Sequence, residues 1–189
     1  MMNRIVQYLA CFTVIGMMMG TAEPASAQRT ASGQNSLAIS ALLPGKSVGA
    51  EAFFQQYTLN GYWEAGLYGA DFSAPLSIGD NLRYWDLSAR GGYQFRIAAT
   101  RGRGLNWYLG GGVQAGIEYL DPLRALPSYY DLGRSRISFQ YGLYAATVLE
   151  IFLGMKVAIL VTGELPVSFA PCIKHFHPAA GLGLKYLFN

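Results

Sequence analysis

LNWYLGGGVQAGIEY, residues 105–119, changes side at every step. Leu105, Trp107, Leu109, Val113, Ala115, Ile117 and Tyr119 fall on one side, and Asn106, Gly110, Gly112, Gln114, Gly116 and Glu118 on the other. A strand turns its side chains over at each residue, so the stretch is one ribbon with an apolar and a polar face. At about 15 residues it far exceeds the usual globular strand of about 5–6. Its polar face carries glycines and a carboxylate, and its apolar face is rimmed by aromatics. Long two-faced strands of this kind are what a membrane β-barrel requires.

Seven more segments extend the pattern. The expected strands run 36–43, 48–59, 62–72, 83–97, 105–119, 136–152, 155–165 and 179–188. In the fourth, Trp85, Leu87, Ala89, Tyr93, Phe95 and Ile97 alternate with Asp86, Ser88, Arg90, Gly92, Gln94 and Arg96. In the last, Leu182, Leu184, Tyr186 and Phe188 oppose Gly181, Gly183 and Lys185. Asn60-Gly61 is a strong two-residue hairpin signal between strands two and three. Phe53 and Tyr68 break the alternation there, falling on the polar side. Short connections (60–61, 98–104, 153–154) alternate with long ones (73–82, 120–135, 166–178), and only the first hairpin, 44–47, departs from this. Bacterial barrels have short periplasmic turns and longer external loops, and an even strand count brings both ends to the periplasmic side.

The 189 residues suffice for one domain. The composition is 52% hydrophobic and only 13% charged, with 23 glycines, 13 tyrosines and 10 phenylalanines. No uninterrupted apolar run of helix-spanning length follows residue 27, so apolarity is spread in alternation. A formal net charge of +3, from scattered basic residues, does not argue for nucleic-acid binding. Arg4, the apolar stretch 5–20 and Ala25-Ser26-Ala27 read as an export signal cleaved after residue 27. That leaves a short segment 28–35 and a barrel domain 36–189. Cys11 lies too early for a lipoprotein signal. Cys172 then remains alone, so no intramolecular disulfide framework is expected.

Alternation alone also suits a soluble barrel such as a lipocalin, with its apolar face inward. Strand length, the glycine-rich polar face and the large apolar residues favour the membrane form. The expected fold is therefore an all-β, eight-stranded antiparallel up-and-down outer-membrane barrel. Eight strands leave a lumen that side chains fill. Its ionisable lining is expected to be Glu51, Glu64, Asp86, Arg90, Arg96, Glu118, Glu150, Lys156, Glu164 and Lys185. Buried charges are costly unless paired, so acids and bases together point to an internal ion-pair plug, a structural network. A small conductance is the functional alternative.

Other motifs weigh less. His175 and His177 on one strand face would suit a metal, but only Cys172 lies near them in sequence. Two loop histidines are the plainer reading, and no metal or cofactor is expected. Ser168, His175 and Asp131 could meet at an outer rim as a hydrolase triad, yet triads are recognised by geometry, not spacing. No catalytic residue is assigned. Gly110-Gly111-Gly112 lies mid-strand without a following helix or lysine, which excludes a phosphate loop. In the loop 121–134, Arg124, Tyr129, Tyr130 and Arg134 form a possible contact surface.

The mature chain resembles the conjugal transfer protein TraO family of Bacteroides-type conjugative transposons. The resemblance rests on Ala25-Ser26-Ala27-Gln28-Arg29, Gly91-Gly92-Tyr93, the strand from Gly110 to Gly116, and Tyr141-Gly142 leading to Leu149-Glu150. Its most specific part is the tail, Lys174-His175-Phe176-His177 and then Gly181-Leu182-Gly183-Leu184-Lys185-Tyr186-Leu187-Phe188-Asn189. An additional His175 before Phe176, and Pro178 after His177, depart from the family pattern. The resemblance implies an accessory or structural component of a DNA-transfer apparatus in the outer membrane of a Gram-negative bacterium. Its partners would be membrane lipids and other transfer proteins, with no direct nucleic-acid contact and no small-molecule substrate. The alternatives are a general surface barrel for adhesion or envelope stability, or a lipid-modifying hydrolase.

Overall fold

In the computed structural model, described for residues 32–45, 47–75, 81–100, 104–120, 137–169 and 175–188, eight strands close into one antiparallel barrel. They are β1 (Asn35–Pro44), β2 (Val48–Tyr57), β3 (Gly61–Pro75), β4 (Asn81–Ala99), β5 (Leu105–Leu120), β6 (Ile137–Phe152), β7 (Val157–Ser168) and β8 (Ala179–Phe188). Each strand pairs with its sequence neighbours. β8 returns to β1 in a register running from Asn35↔Phe188 to Pro44↔Ala179, which removes both sheet edges.

The apolar side of every strand faces outward. Ile39, Leu67, Val113, Phe139 and Leu182 are each about three-fifths exposed, while Glu150, Gln94 and Asn106 on the other side are fully buried. This inverts the plan of a soluble protein and suits a wall in hydrocarbon. On β4 the outward row runs from Trp85 to Phe95. At about 3.3 Å per residue and a tilt near 45°, that row spans about 23 Å, close to the height of the usual apolar band. Polar groups bracket it. An outward Arg83–Asp71 ion pair lies just beyond Trp85, and Arg96 donates to the Leu59 carbonyl at 2.8 Å just past Phe95. Within the wall the indole N–H of Trp107 is satisfied by Thr147 Oγ1 at 2.8 Å.

Two expectations about connections are corrected. The β2–β3 loop is not Asn60-Gly61. Thr58 N–H donates to Gly61 C=O at 2.8 Å, and Tyr57 pairs with Tyr62, so the loop residues are Leu59 and Asn60. Gly61 belongs to β3, and a Cβ there would come 1.9 Å from the Gln94 carbonyl oxygen. Its glycine serves close approach to β4 rather than a turn. Among described glycines only Gly33 and Gly45 have positive φ, and Gly45 (φ 68) sits at the β1–β2 turn. The seventh strand starts later and runs further than expected, from Val157 to Ser168. Its preceding turn takes up residues 153–156, and a bridge from Val167 to Phe176 extends it.

Candidate functional site

The lumen holds what chemistry the described residues offer, and it is packed in tiers. At the end where Asn35 meets Phe188, Tyr57, Tyr62 and Tyr108 cluster edge to face, with centroids 5.4 and 4.8 Å apart. Lys185 reaches into them from β8. Its Nζ donates to Glu150 Oε1 and, at 3.1 Å, to the Tyr57 hydroxyl, and it lies 4.3 Å from the Tyr62 ring centroid. Tyr57 OH in turn donates to Glu150 Oε1 at 2.9 Å. The ammonium thus has a carboxylate, a hydroxyl and a ring face in place of water.

The middle tier holds three carboxylates, Glu51, Glu64 and Glu164. Glu64 accepts from Gln55 Nε2 at 3.3 Å, Gln94 Nε2 at 2.8 Å and Tyr144 OH at 2.9 Å. Arg90 Nη1 donates to Glu164 Oε2 at 2.7 Å and lies 3.7 Å from Glu51 Oε2. Its guanidinium covers the Tyr68 ring at 3.7 Å, with Tyr144 at 5.3 Å. Glycine makes room for this tier: a Cβ on Gly92 would come 2.6 Å from the Tyr144 hydroxyl. In the tier at the far end, Gln140 donates to Asp86, Gln114 Nε2 donates to Ser168 Oγ at 3.1 Å, and Phe72 stacks on Tyr84.

Of the ten residues expected to line the lumen, Glu51, Glu64, Asp86, Arg90, Glu118, Glu150, Glu164 and Lys185 are buried there. Arg96 and Lys156 are not, and the expectation is corrected for both. Arg96 lies at a register shift near the end of β4 and turns to the β2–β3 loop. Lys156 is exposed in the β6–β7 turn, one residue before alternation resumes. The interior is also richer in aromatic and amide groups than glycine and charge alone suggested. Tyr57, Tyr62, Tyr68, Tyr84, Tyr108 and Tyr144 are all buried inside, as are Gln55, Gln94, Gln114 and Gln140. Parity could have found them, since each falls in step with an inward carboxylate or amide of its own strand. Phe53 and Tyr68, which looked misplaced, are inward for the same reason.

The minor motifs separate. His175 Nδ1 lies 2.9 Å from the Ser168 carbonyl oxygen, while buried His177 packs 4.4 Å from Phe72. The two histidines therefore point to different surroundings. Among the described residues no three of His, Cys, Asp and Glu gather to hold a metal ion. Ser168 Oγ takes its hydrogen bond from Gln114 in the lumen, away from a nucleophile's exposed position. Asp131, Cys172, Arg124, Tyr129, Tyr130 and Arg134 lie outside the described residues. Ser168→Ala and His175→Ala are expected to leave membrane lipid composition unchanged when the lipids of cells carrying each variant are profiled. An altered acyl pattern would revive the hydrolase.

The family model for conjugative transposon protein TraO matches residues 80–188, the whole run from β4 to β8. The chain belongs to the TraO family. The match takes in the Arg90–Glu164 and Lys185–Glu150 pairs and leaves Glu51 and Glu64 outside it. No curated protein matches the chain. Solved structures of similar fold include outer-membrane barrels. Ail, the attachment invasion locus protein of Yersinia pestis, solved with the heparin analogue sucrose octasulfate, has 15% identity and a TM-score of 0.52, covering 84% of this chain and 100% of its own. The N-terminal β-barrel domain of Pseudomonas aeruginosa OprF has 11% identity and a TM-score of 0.51, covering 83% and 98%. Neisserial surface protein A has 13% identity and a TM-score of 0.51, covering 82% and 95%. At such identities the likeness concerns the fold alone, and this TraO-family chain has the eight-stranded outer-membrane β-barrel fold.

Proposed function

We propose that this TraO-family barrel is a non-enzymatic accessory or structural component of a conjugative transposon's DNA-transfer apparatus. It sits in the outer membrane of a Gram-negative bacterium after loss of residues 1–27, among lipids and beside other transfer proteins. The observation that carries this reading is the filled lumen within a family-matched wall. Tyrosine rings, amides and ion pairs occupy the barrel from Lys185 to Asp86. An eight-stranded barrel so packed has no path for a nucleic-acid strand, so the protein acts beside a wider channel rather than as one. The lumenal pairs of Arg90 and Lys185 then serve rigidity. The segment 121–134, with Arg124, Tyr129, Tyr130 and Arg134, is the contact surface proposed for a partner.

Deleting the gene in donor cells tests the proposal. Transfer frequency is expected to fall sharply and to recover when the gene is supplied in trans. Unchanged transfer would move the protein to the general surface-barrel class, where envelope stability or adhesion is the property to measure.

A further inference from the structure

At the end of the barrel that carries the β2–β3 turn, the outer wall is indented by a cleft of about 560 Å³. That volume lies within the roughly 300–1,000 Å³ of small-ligand sites. One side of the cleft is a row of rings. Tyr93 stands between Trp63 and Phe95, with centroids 4.8 and 4.6 Å away and both contacts edge to face. Its hydroxyl shares a hydrogen bond with Thr58 Oγ1 at 2.6 Å, which fixes the middle ring. The other side is the turn itself, with Thr58, Leu59 and Asn60. Trp63, Phe95 and Leu59 are all exposed, so the cleft continues the lipid-facing wall.

A cation stands at the edge of this cleft. Arg96 is pinned to the turn twice: its backbone N–H donates to the Asn60 carbonyl and its Nη2 to the Leu59 carbonyl, each at 2.8 Å. A guanidinium has five N–H donors, and among the described residues no carboxylate pairs with this one. Arg83, Arg90 and Lys185 each have such a partner. Rings and guanidinium meet at one level, where hydrocarbon gives way to headgroups. An occupant must therefore present an apolar tail to the rings and an anion to Arg96. Bacterial barrels keep their short turns on the periplasmic side, where the lipid of the outer membrane is glycerophospholipid. We propose that the cleft holds one glycerophospholipid, its phosphate on the Arg96 guanidinium and the upper part of an acyl chain along Trp63, Tyr93 and Phe95. This is a fixed lipid, distinct from those exchanging around the rest of the wall. It rests on the barrel's place in the membrane and not on a role in transfer.

The probe is phosphatidylglycerol, offered to the folded barrel in detergent micelles and counted as adducts by native mass spectrometry. Diacylglycerol with the same chains is the comparison. Wild type is expected to retain one phosphatidylglycerol and to bind the diacylglycerol about tenfold more weakly, since only the first offers an anion to the guanidinium. Arg96→Gln is expected to erase that difference, and Arg96→Lys to restore most of it, because a point charge also holds phosphate. Arg83→Gln, at the opposite end of the wall, is expected to leave the difference intact. Should Arg96→Gln not fold, Trp63→Leu carries the test, with a severalfold loss of phosphatidylglycerol through the missing ring. Equal retention of the two lipids by wild type, or undiminished phosphatidylglycerol in Arg96→Gln or Trp63→Leu, would overturn the proposal and leave ordinary annular contact. Stronger retention of lipopolysaccharide would overturn it too, as would adducts of a second barrel in place of lipid.

Discussion

Lys185→Met, with Glu150 left in place, is expected to destabilise the barrel by about 3–5 kcal/mol, the cost of stripping one partner from a buried ion pair. Both side chains are fully buried. The substitution keeps most of the stem's volume, so the effect isolates the charge. Glu150 would retain the Tyr57 hydroxyl at 2.9 Å, but that one neutral donor cannot replace an ammonium. Replacing both residues, as Lys185→Met with Glu150→Leu, is expected to recover most of the loss, because apolar pairs often match buried ion pairs. Urea unfolding in lipid vesicles, followed by the gel shift between folded and unfolded barrel, measures both. A double variant no more stable than the single one would show that the pair supplies more than mutual neutralisation.

Gly112→Val is expected to have the second large effect, at or above the upper end of the ~1–3 kcal/mol of an overpacked core. Gly112 faces Gly92 on one side and Tyr144 on the other. A Cβ at residue 112 would come 2.1 Å from the Gly91 carbonyl oxygen and 2.6 Å from the Gly92 Cα. The obstruction is backbone, which cannot swing aside as a long side chain can. Relief would have to come from parting β4 and β5, and that opens the ladder around the barrel's middle. Loss of the heat-modified gel form after refolding is the measurement. Normal migration of Gly112→Val would mean the wall yields more than its close strand contacts suggest. Gly163→Ala is the control, since its Cβ would meet only a Thr147 methyl at 3.2 Å.

Strict alternation made the wall legible. Residues 105–119 alone separate a lipid-facing row from a lumenal one, and the structure keeps every assignment in that strand. The eighth strand agrees with expectation end to end. Side-chain chemistry was harder to read than parity. A tyrosine suits either face, as an interfacial anchor outside or a hydrogen-bonding filler inside, so residue type alone does not mark Tyr62 and Tyr144 as lumenal. Arg96 and Lys156 show the opposite limit: parity lapses at turns and register shifts, and a charge there escapes to the end of the barrel. Asn60-Gly61 misled because a glycine needed for close backbone approach looks the same in sequence as one needed for a turn. Which carboxylate meets which cation depends on partners far apart in the chain, such as Arg90 and Glu164, and no local pattern encodes that.

The seam between β1 and β8 has a consequence for how the molecule is born. The first strand's permanent partner is the last one made, so Asn35 waits for Phe188 before its outer row of hydrogen bonds can form. Until that moment the chain carries two unpaired edges, each a template for another strand, and its contacts of largest sequence separation form late. Assembly therefore ends in a single zipping event at the seam. A cell making this protein must keep the nascent chain apart from its copies until that event is complete.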